Sequence, residues 1–136
     1  MRLIVLDTNV IVSAAISPLG PPAKVVEGFV LCGKVQTVTS PAIAPEYREV
    51  VRRAKFHRYG FPPLWLEYLI EESMQLPTPE PWPHICPDPK DTPLIALAQA
   101  AGAWLVTGNL KHFPVAIRNE VTVVPPGDYL AHLAGA

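Results

Sequence analysis

The sequence predicts an α/β fold in three α/β/α layers around a mostly parallel central sheet, and three observations carry that expectation. Short apolar or β-branched runs recur at Arg2–Leu6, Val35–Thr39, Trp104–Thr107 and Val121–Val124. Runs of this length without polar alternation suit strands covered on both faces. Segments of helical period stand between them, and parallel neighbours need such crossovers. The chain has 136 residues, 49% of them hydrophobic, enough for one well-buried core and too few for two ordinary domains. Residues 1–136 are therefore expected to form a single domain.

Arg2–Leu6 opens the chain as a buried strand, and Asp7-Thr8-Asn9 follows it at once. Val10–Ile16 is apolar and small, consistent with a helix that stops at Ser17–Pro18, because the residue before a proline is pushed out of helical backbone. Pro21 and Pro22 suit the first turn of the next helix, which runs through Val25, Val26, Phe29 and Val30 and ends at Gly33. β-Branched Val35–Thr39 gives a second strand. Ser40 is expected to cap, and Pro41 to open, a helix whose apolar positions Ile43, Tyr47, Val50, Val51 and Ala54 follow the 3.6 period. That helix ends on Arg52, Arg53 and Lys55. After Pro62–Pro63 a further helix is expected to use Leu64, Trp65, Tyr68 and Leu69. Leu76–Pro87 reads as a stiff connector rather than a domain boundary. Asp91–Ala101 gives a helix with Leu94, Leu97, Ala98 and Ala101 inside, closed by Gly102. Trp104–Thr107 and Val121–Val124 follow as strands, and Tyr129–Leu133 as a short terminal helix.

The formal net charge is −1 and the sequence pI near 6.4, which argues against a module that holds nucleic acid by basic charge alone. It leaves a nuclease open, since divalent cations in an acidic pocket can meet the phosphate. No apolar run approaches the roughly 20 residues that span a bilayer, and Asp7 interrupts the N-terminal run, unlike a signal peptide. A cytoplasmic protein is expected. Cys32 and Cys86 are too few and too isolated for a disulfide framework or a zinc site and read as small buried hydrophobes. Proline reaches 17 residues, about 12% against a typical usage of about 5%. Together with scarce Asn and Gln, this suggests a thermophilic source, an expectation that a melting transition in the mesophilic range would overturn. The apolar residues Trp65, Tyr68 and Leu69 beside the proline-rich connector suggest a homodimer or higher homo-oligomer, which a monomeric mass by light scattering would exclude.

Three acids stand where strands end or helices begin. Asp7 follows the first strand directly, Glu46 lies on the first turns of the third helix, and Asp91 opens a strongly apolar helix three residues after Asp88. Each has an ordinary structural reading when taken alone: helix caps for Asp7 and Asp91, a turn for Asp88, a solvated side chain for Glu46. Taken together, the elements that carry Asp7, Glu46 and Asp91 can converge on one sheet edge. Gathered carboxylates repel, and a hard cation such as Mg2+ or Mn2+ is the usual reason to tolerate them.

With these residues in place, the chain resembles the PIN-domain nucleases, in particular the toxins of type II toxin–antitoxin pairs. The matching segments are Leu3–Val10 (LIVLDTNV), Ser40–Phe56 (SPAIAPEYREVVRRAKF), Asp88–Ala98 (DPKDTPLIALA) and Trp104–Phe113 (WLVTGNLKHF), in the family's order and spacing. The resemblance implies a PIN-like fold in which Asp7, Glu46 and Asp91 are the catalytic, metal-binding acids, supported by Thr8, Asn9, Asp88 and Thr107. The family often carries a fourth acid where this chain has Asn109. Lys111 stands where many relatives have an aspartate, and Lys90 and Thr92 replace acids flanking Asp91. Whether one or two metals bind is left open by these departures. TGN followed by Lys-His-Phe resembles a recurring variant within the family.

The implied activity is hydrolysis of RNA phosphodiesters with Mg2+ or Mn2+ held by Asp7 and Asp91 and with Glu46 positioning the metal or a water. An antitoxin protein would hold the enzyme inactive through a peptide in the acidic groove. Asn109 can hold a water or a phosphate oxygen. Arg52, Arg53, Lys55 and Lys111 are candidates for backbone contacts, with solvated surface charge as the alternative. His112 lies near the proposed site and is a candidate to touch substrate, whereas His57, His84 and His132 show no ligand spacing, and none of the four is assigned to catalysis. Two other classes stay open. A non-catalytic PIN-like module binding RNA or a protein would show no metal binding that depends on Asp7. A phosphotransfer domain with Asp7 as nucleophile lacks the second aspartate expected two residues on.

Overall fold

The computed structural model describes residues 2–53, 59 and 63–135. Its sheet has five strands, all parallel, in the order β3-β2-β1-β4-β5. The first strand, β1 (Arg2–Leu6), lies at the centre, where Ile4, Val5 and Leu6 are all 0–1% exposed. It pairs on one side with β2 (Val35–Thr39), Ile4 opposite Thr37, and on the other with β4 (Trp104–Val106), Leu6 opposite Val106. The edges are β3 (Met74–Gln75) beside β2 and β5 (Val123–Val124) beside β4. Helices flank this sheet, as the three-layer reading requires.

Asp7 caps α1 (Thr8–Ile16) by accepting from Asn9 N–H. The prolines at the first turn of α2 (Pro21–Val25) need no N–H partner there, and the chain continues into a wider π-turn over Val26–Val30 before Gly33 takes a positive φ of 82°. In α3 (Ile43–Val51) the buried residues Ile43, Tyr47, Val50 and Val51 follow the expected period. Its start differs from the sequence reading. The Ser40 carbonyl, not its hydroxyl, accepts from Ile43 and Ala44, and Ser40 Oγ is buried without a hydrogen-bond partner among the described residues. Ala54, Lys55, Phe56, His57 and Pro62 lie outside the described residues.

The fourth helix, α4 (Leu66–Glu72), starts later than expected, and the shift moves its inner face. Leu66, Leu69 and Ile70 are buried, whereas Leu64 is 100% and Tyr68 50% exposed. The two-residue strand β3 has no apolar pattern and went unforeseen; Leu76 N–H donates to Thr39 O just beyond it. The proline-rich connector is tied down, with Trp82 Nε1–H donating to Ile117 O at 3.0 Å and His84 Nε2 lying 2.8 Å from Asn119 Oδ1. A 3-10 turn, Pro89–Asp91, leads into α5 (Thr92–Ala101), which buries Leu94, Ile95, Leu97 and Ala98 and ends at Gly102 with φ 65°. The last helix, α6 (Pro126–Ala134), is longer at both ends than Tyr129–Leu133. Cys86 is buried as expected; Cys32 is exposed, its Sγ–H donating to Gly28 O at 3.0 Å at the end of the π-turn. No helix among the described residues is long and apolar enough to cross a membrane.

Candidate metal centre

The strand order places a topological switch at β1. The chain leaves β1 toward β2 and β3 on one side and returns to β4 and β5 on the other, which opens a crevice at the carboxyl ends of β1 and β4. Asp7 follows β1 into that crevice, and Thr107, Gly108 and Asn109 follow β4.

Asp7 is only 5% exposed, and groups from both strand ends hold its carboxylate. Thr107 Oγ1–H donates to Asp7 Oδ2 at 2.8 Å, while Asn9 donates from its backbone to Oδ1 and from Nδ2 to Oδ2, both at 3.4 Å. Gly108 N–H donates to Asn9 Oδ1 at 3.1 Å, and a Cβ on Gly108 would stand 3.3 Å from that same oxygen. The glycine thus permits the close approach of the two turns. Tyr47, wholly buried in α3, donates its hydroxyl to Leu6 O, the carbonyl just before Asp7. Burial, with the charges of Asp7 and Glu46, holds the Tyr47 phenol above its ordinary pKa, so it acts as a neutral donor.

Glu46 and Asp91 are electrostatic neighbours of Asp7. Burial raises the pKa of Asp7, although Thr107, Asn9 and His112 pull it back. Glu46 is raised first by burial and then by the charges of Asp7 and Asp91. Asp91 is 8% exposed, and burial, with the charges of Asp7 and Asp88, pushes it up to about 6. The three acids therefore feel one another directly. Asp91 does not cap α5: its backbone is helical and its side chain makes no capping bond. Asp88 does form the expected turn, accepting from Lys90 N–H at 3.0 Å. The arginines are engaged elsewhere, Arg48 with Glu67 and Arg53 with Glu49, both on the surface.

Sequence reasoning put His112 near the site but gave it no catalytic or metal-binding role. It ends a 3-10 turn, Leu110–His112, and its Nδ1 lies 2.8 Å from Asp91 Oδ2, which has no other donor among the described residues. Asn109 reaches the same ring, its Nδ2 2.9 Å from His112 Nε2, and Asn109 N–H donates to Thr107 Oγ1 at 3.0 Å. The spacing Asn109-x-x-His112 on one tight turn was the available signal, because such a turn stacks residues three apart. Thr8 Oγ1 is buried without a partner among the described residues, and Lys111 is exposed.

Two observations fit a hard divalent cation here. The donor set is rich in buried carboxylate oxygen, and the raised pKa values record mutual repulsion that a cation would remove. Among the described residues, the donor group whose ligating atoms all lie within 4.8 Å of one another is Asp88, Asp91 and His112, and it does not include Asp7 or Glu46.

A parallel sheet with acids gathered at its switch point defines an α/β protein with a carboxylate centre. The chain belongs to the PIN domain family, whose model matches residues 3–111, a span that contains Asp7, Glu46, Asp91 and Asn109. No curated protein matches it in sequence. Among solved structures it is similar to VapBC2 from Rickettsia felis bound to a DNA fragment from their promoter, at 18% identity over 90% of this chain and 97% of that one, with a TM-score of 0.63. It is also similar to FitAB bound to IR36 DNA fragment, at 22% identity over 90% and 94% with a TM-score of 0.56. FitAcB from Neisseria gonorrhoeae matches at 20% identity over 91% and 98% with a TM-score of 0.58. At these identities the likeness is one of fold.

Proposed function

We propose that residues 1–136 form one PIN domain that acts as a divalent-metal-dependent endoribonuclease, the toxin of a toxin–antitoxin pair. The observation that supports this reading is buried Asp7 at the switch point, with Glu46 and Asp91 near enough that its charge adds to burial in raising their pKa values. Asp7 and Asp91 would hold Mg2+ or Mn2+, with Glu46 placing the metal or the attacking water. When bound, such an ion supplies positive charge to the scissile phosphate and activates water. Thr107 and Asn9 fix the Asp7 carboxylate, and Asn109 orients His112 beside Asp91. Arg53 and Lys111, on the exposed rim, would touch the RNA backbone.

The neighbours in fold are VapBC2, FitAB and FitAcB, which supports an antitoxin protein as partner and the cytoplasm as the place of action. Of the patch Trp65, Tyr68 and Leu69 expected to support a homodimer, Leu69 is buried and Trp65 packs against the core, which leaves Tyr68, with neighbouring Leu64, as exposed apolar surface; a monomeric mass at high micromolar concentration would exclude the dimer. Asn109 in place of an acid favours a second reading, a non-catalytic module that binds RNA or protein. Purified protein incubated with structured and unstructured RNA, with and without Mn2+, separates the two. The nuclease reading expects cleavage that needs Mn2+ and is lost in Asp7→Asn and Asp91→Asn. Equal cleavage by wild type and Asp7→Asn, or none with Mn2+ present, would refute it.

A further inference from the structure

Asp88, Asp91 and His112 arrive from two tight turns, one entering α5 and one following β4, and their ligating atoms fall within 4.8 Å of one another. In an octahedral site with bonds of about 2.1 Å, neighbouring ligand atoms stand about 3 Å apart and opposed ones about 4.2 Å. His112 Nδ1 lies 2.8 Å from Asp91 Oδ2, a hydrogen bond or ion pair in the metal-free protein, and the same separation also suits two neighbouring ligands. We infer that His112 is a nitrogen ligand of the metal centre, through Nδ1, and that it tilts the site toward a borderline transition-metal dication such as Co2+ and away from Mg2+. This rests on the metal reading above and adds to it a ligand, and a metal preference, that the three acids alone do not give.

The surroundings of His112 carry the argument further. Nδ1 can bind a metal only without its proton, so Nε2 must hold the ring's one N–H and must be given an acceptor. Asn109 is already in place, with its side-chain amide 2.9 Å from Nε2. Turning that amide by half a rotation exchanges Nδ2 and Oδ1 at nearly unchanged positions, after which Oδ1 accepts from Nε2–H. Asn109 is itself anchored, its N–H donating to Thr107 Oγ1, which in turn donates to Asp7. A chain of contacts thus runs from Asp7 through Thr107, Asn109 and His112 to Asp91. The amide at position 109, which looked like the loss of an acid, becomes the group that fixes the tautomer of a ligand. Mg2+ favours an all-oxygen shell, whereas imidazole strengthens binding of the later first-row metals.

The test uses metal-free full-length protein. Pulsed electron paramagnetic resonance of bound Mn2+ should show coupling to an imidazole 14N in the wild type, and the coupling should vanish in His112→Ala. By calorimetry, His112→Ala should weaken Co2+ binding by about 100-fold and leave Mg2+ nearly unchanged, and Asn109→Ala should weaken Co2+ by about tenfold, in the range seen for groups that orient metal-bound histidines. Mn2+ bound in a manner abolished by Asp91→Asn but showing no nitrogen coupling would overturn the ligand assignment and leave the nuclease reading standing. Equal loss of Co2+ and Mg2+ affinity in His112→Ala would overturn the preference. No divalent binding by the wild type would overturn both proposals.

Discussion

Thr107→Val exchanges a fully buried hydroxyl for a methyl of similar size and so removes that hydroxyl's two hydrogen bonds with little change of packing. Thr107 Oγ1 donates to Asp7 Oδ2 at 2.8 Å and accepts from Asn109 N–H at 3.0 Å. The other bonds to the Asp7 carboxylate, from Asn9, measure 3.4 Å and are long for N–H···O. A hydrogen bond to a charged group contributes about 1.5–3 kcal/mol, so the valine variant should lose about 2 kcal/mol while Asp7 is ionised. At about 3 °C per kcal/mol for a domain of this length, Tm should fall by about 6 °C. The sign of the pH dependence follows from Asp7. Burial raises its folded pKa, and the Thr107 hydroxyl is the largest influence lowering it. Valine raises it further, so the deficit is full at alkaline pH and shrinks as pH falls through Asp7's folded pKa, where only a neutral bond of about 1 kcal/mol is missing. Thermal melts of wild type, Thr107→Val and Thr107→Ser in chelator, from about pH 8 to about pH 4, follow this change, with serine retaining the pH profile of the wild type. A valine variant as stable as wild type at the alkaline end, or a deficit that is the same at both ends, would refute the reasoning.

Asp91 titrates at about 6 in the folded protein against an ordinary 3.8, so between those values the folded state holds more protons and stability falls as pH rises. Metal-free Tm should be higher at about pH 5 than at about pH 7.5, and Asp91→Asn should flatten that slope; a Tm that climbs over this interval contradicts the cluster. Tyr47→Phe removes the buried hydroxyl bonded to Leu6 O and should cost about 1 kcal/mol, or about 3 °C in Tm, with weaker Mn2+ binding because the carbonyl before Asp7 loses its anchor. Calorimetry and melts that show neither change would remove Tyr47 from the site. Asn109→Asp should tighten divalent binding, because a carboxylate accepts more strongly from His112 Nε2–H, and should lower metal-free stability by adding charge beside Asp7 and Asp91; the same two measurements check it.

The parts of the fold that sequence made legible are those where one physical demand dominates. Val35–Thr39 was bounded correctly because all of its residues except the half-buried Gln36 are β-branched, as suits a strand covered on both faces. Gly33 and Gly102 marked helix ends because both take positive φ. Misreadings arose where two demands overlap. Leu64, Trp65, Tyr68 and Leu69 satisfy a helical period one turn too early, and only packing selects Leu66, Leu69 and Ile70 as the inner face. Met74–Gln75 joins the sheet through its backbone with both side chains exposed, so nothing in its residue types announces a strand. The acids were legible because Asp7 follows a strand and Asp91 precedes a helix, whereas His112 depends on a turn whose course is set by the contacts of Asn109 with Thr107.

That difference has a physical cause. Asp7 occupies a position fixed by the sheet at the end of β1, while Glu46 stands on α3 and Asp91 on the turn into α5. Their repulsion then has to be contained by neutral donors, and those donors come from elements distant in sequence: Thr107 lies 100 residues beyond Asp7, and Tyr47 lies 41 beyond Leu6. Each offers a hydroxyl, which stabilises a carboxylate or a carbonyl without neutralising the charge that a cation requires. A lysine or arginine at either place would hold Asp7 more strongly in the metal-free protein and would compete with the metal for it. Stability and metal affinity therefore make opposite demands on the residues around Asp7, and hydroxyl donors suit both: the folded protein keeps its acids at raised pKa, and a divalent cation held there, as proposed above, would recover the stability that their crowding withholds.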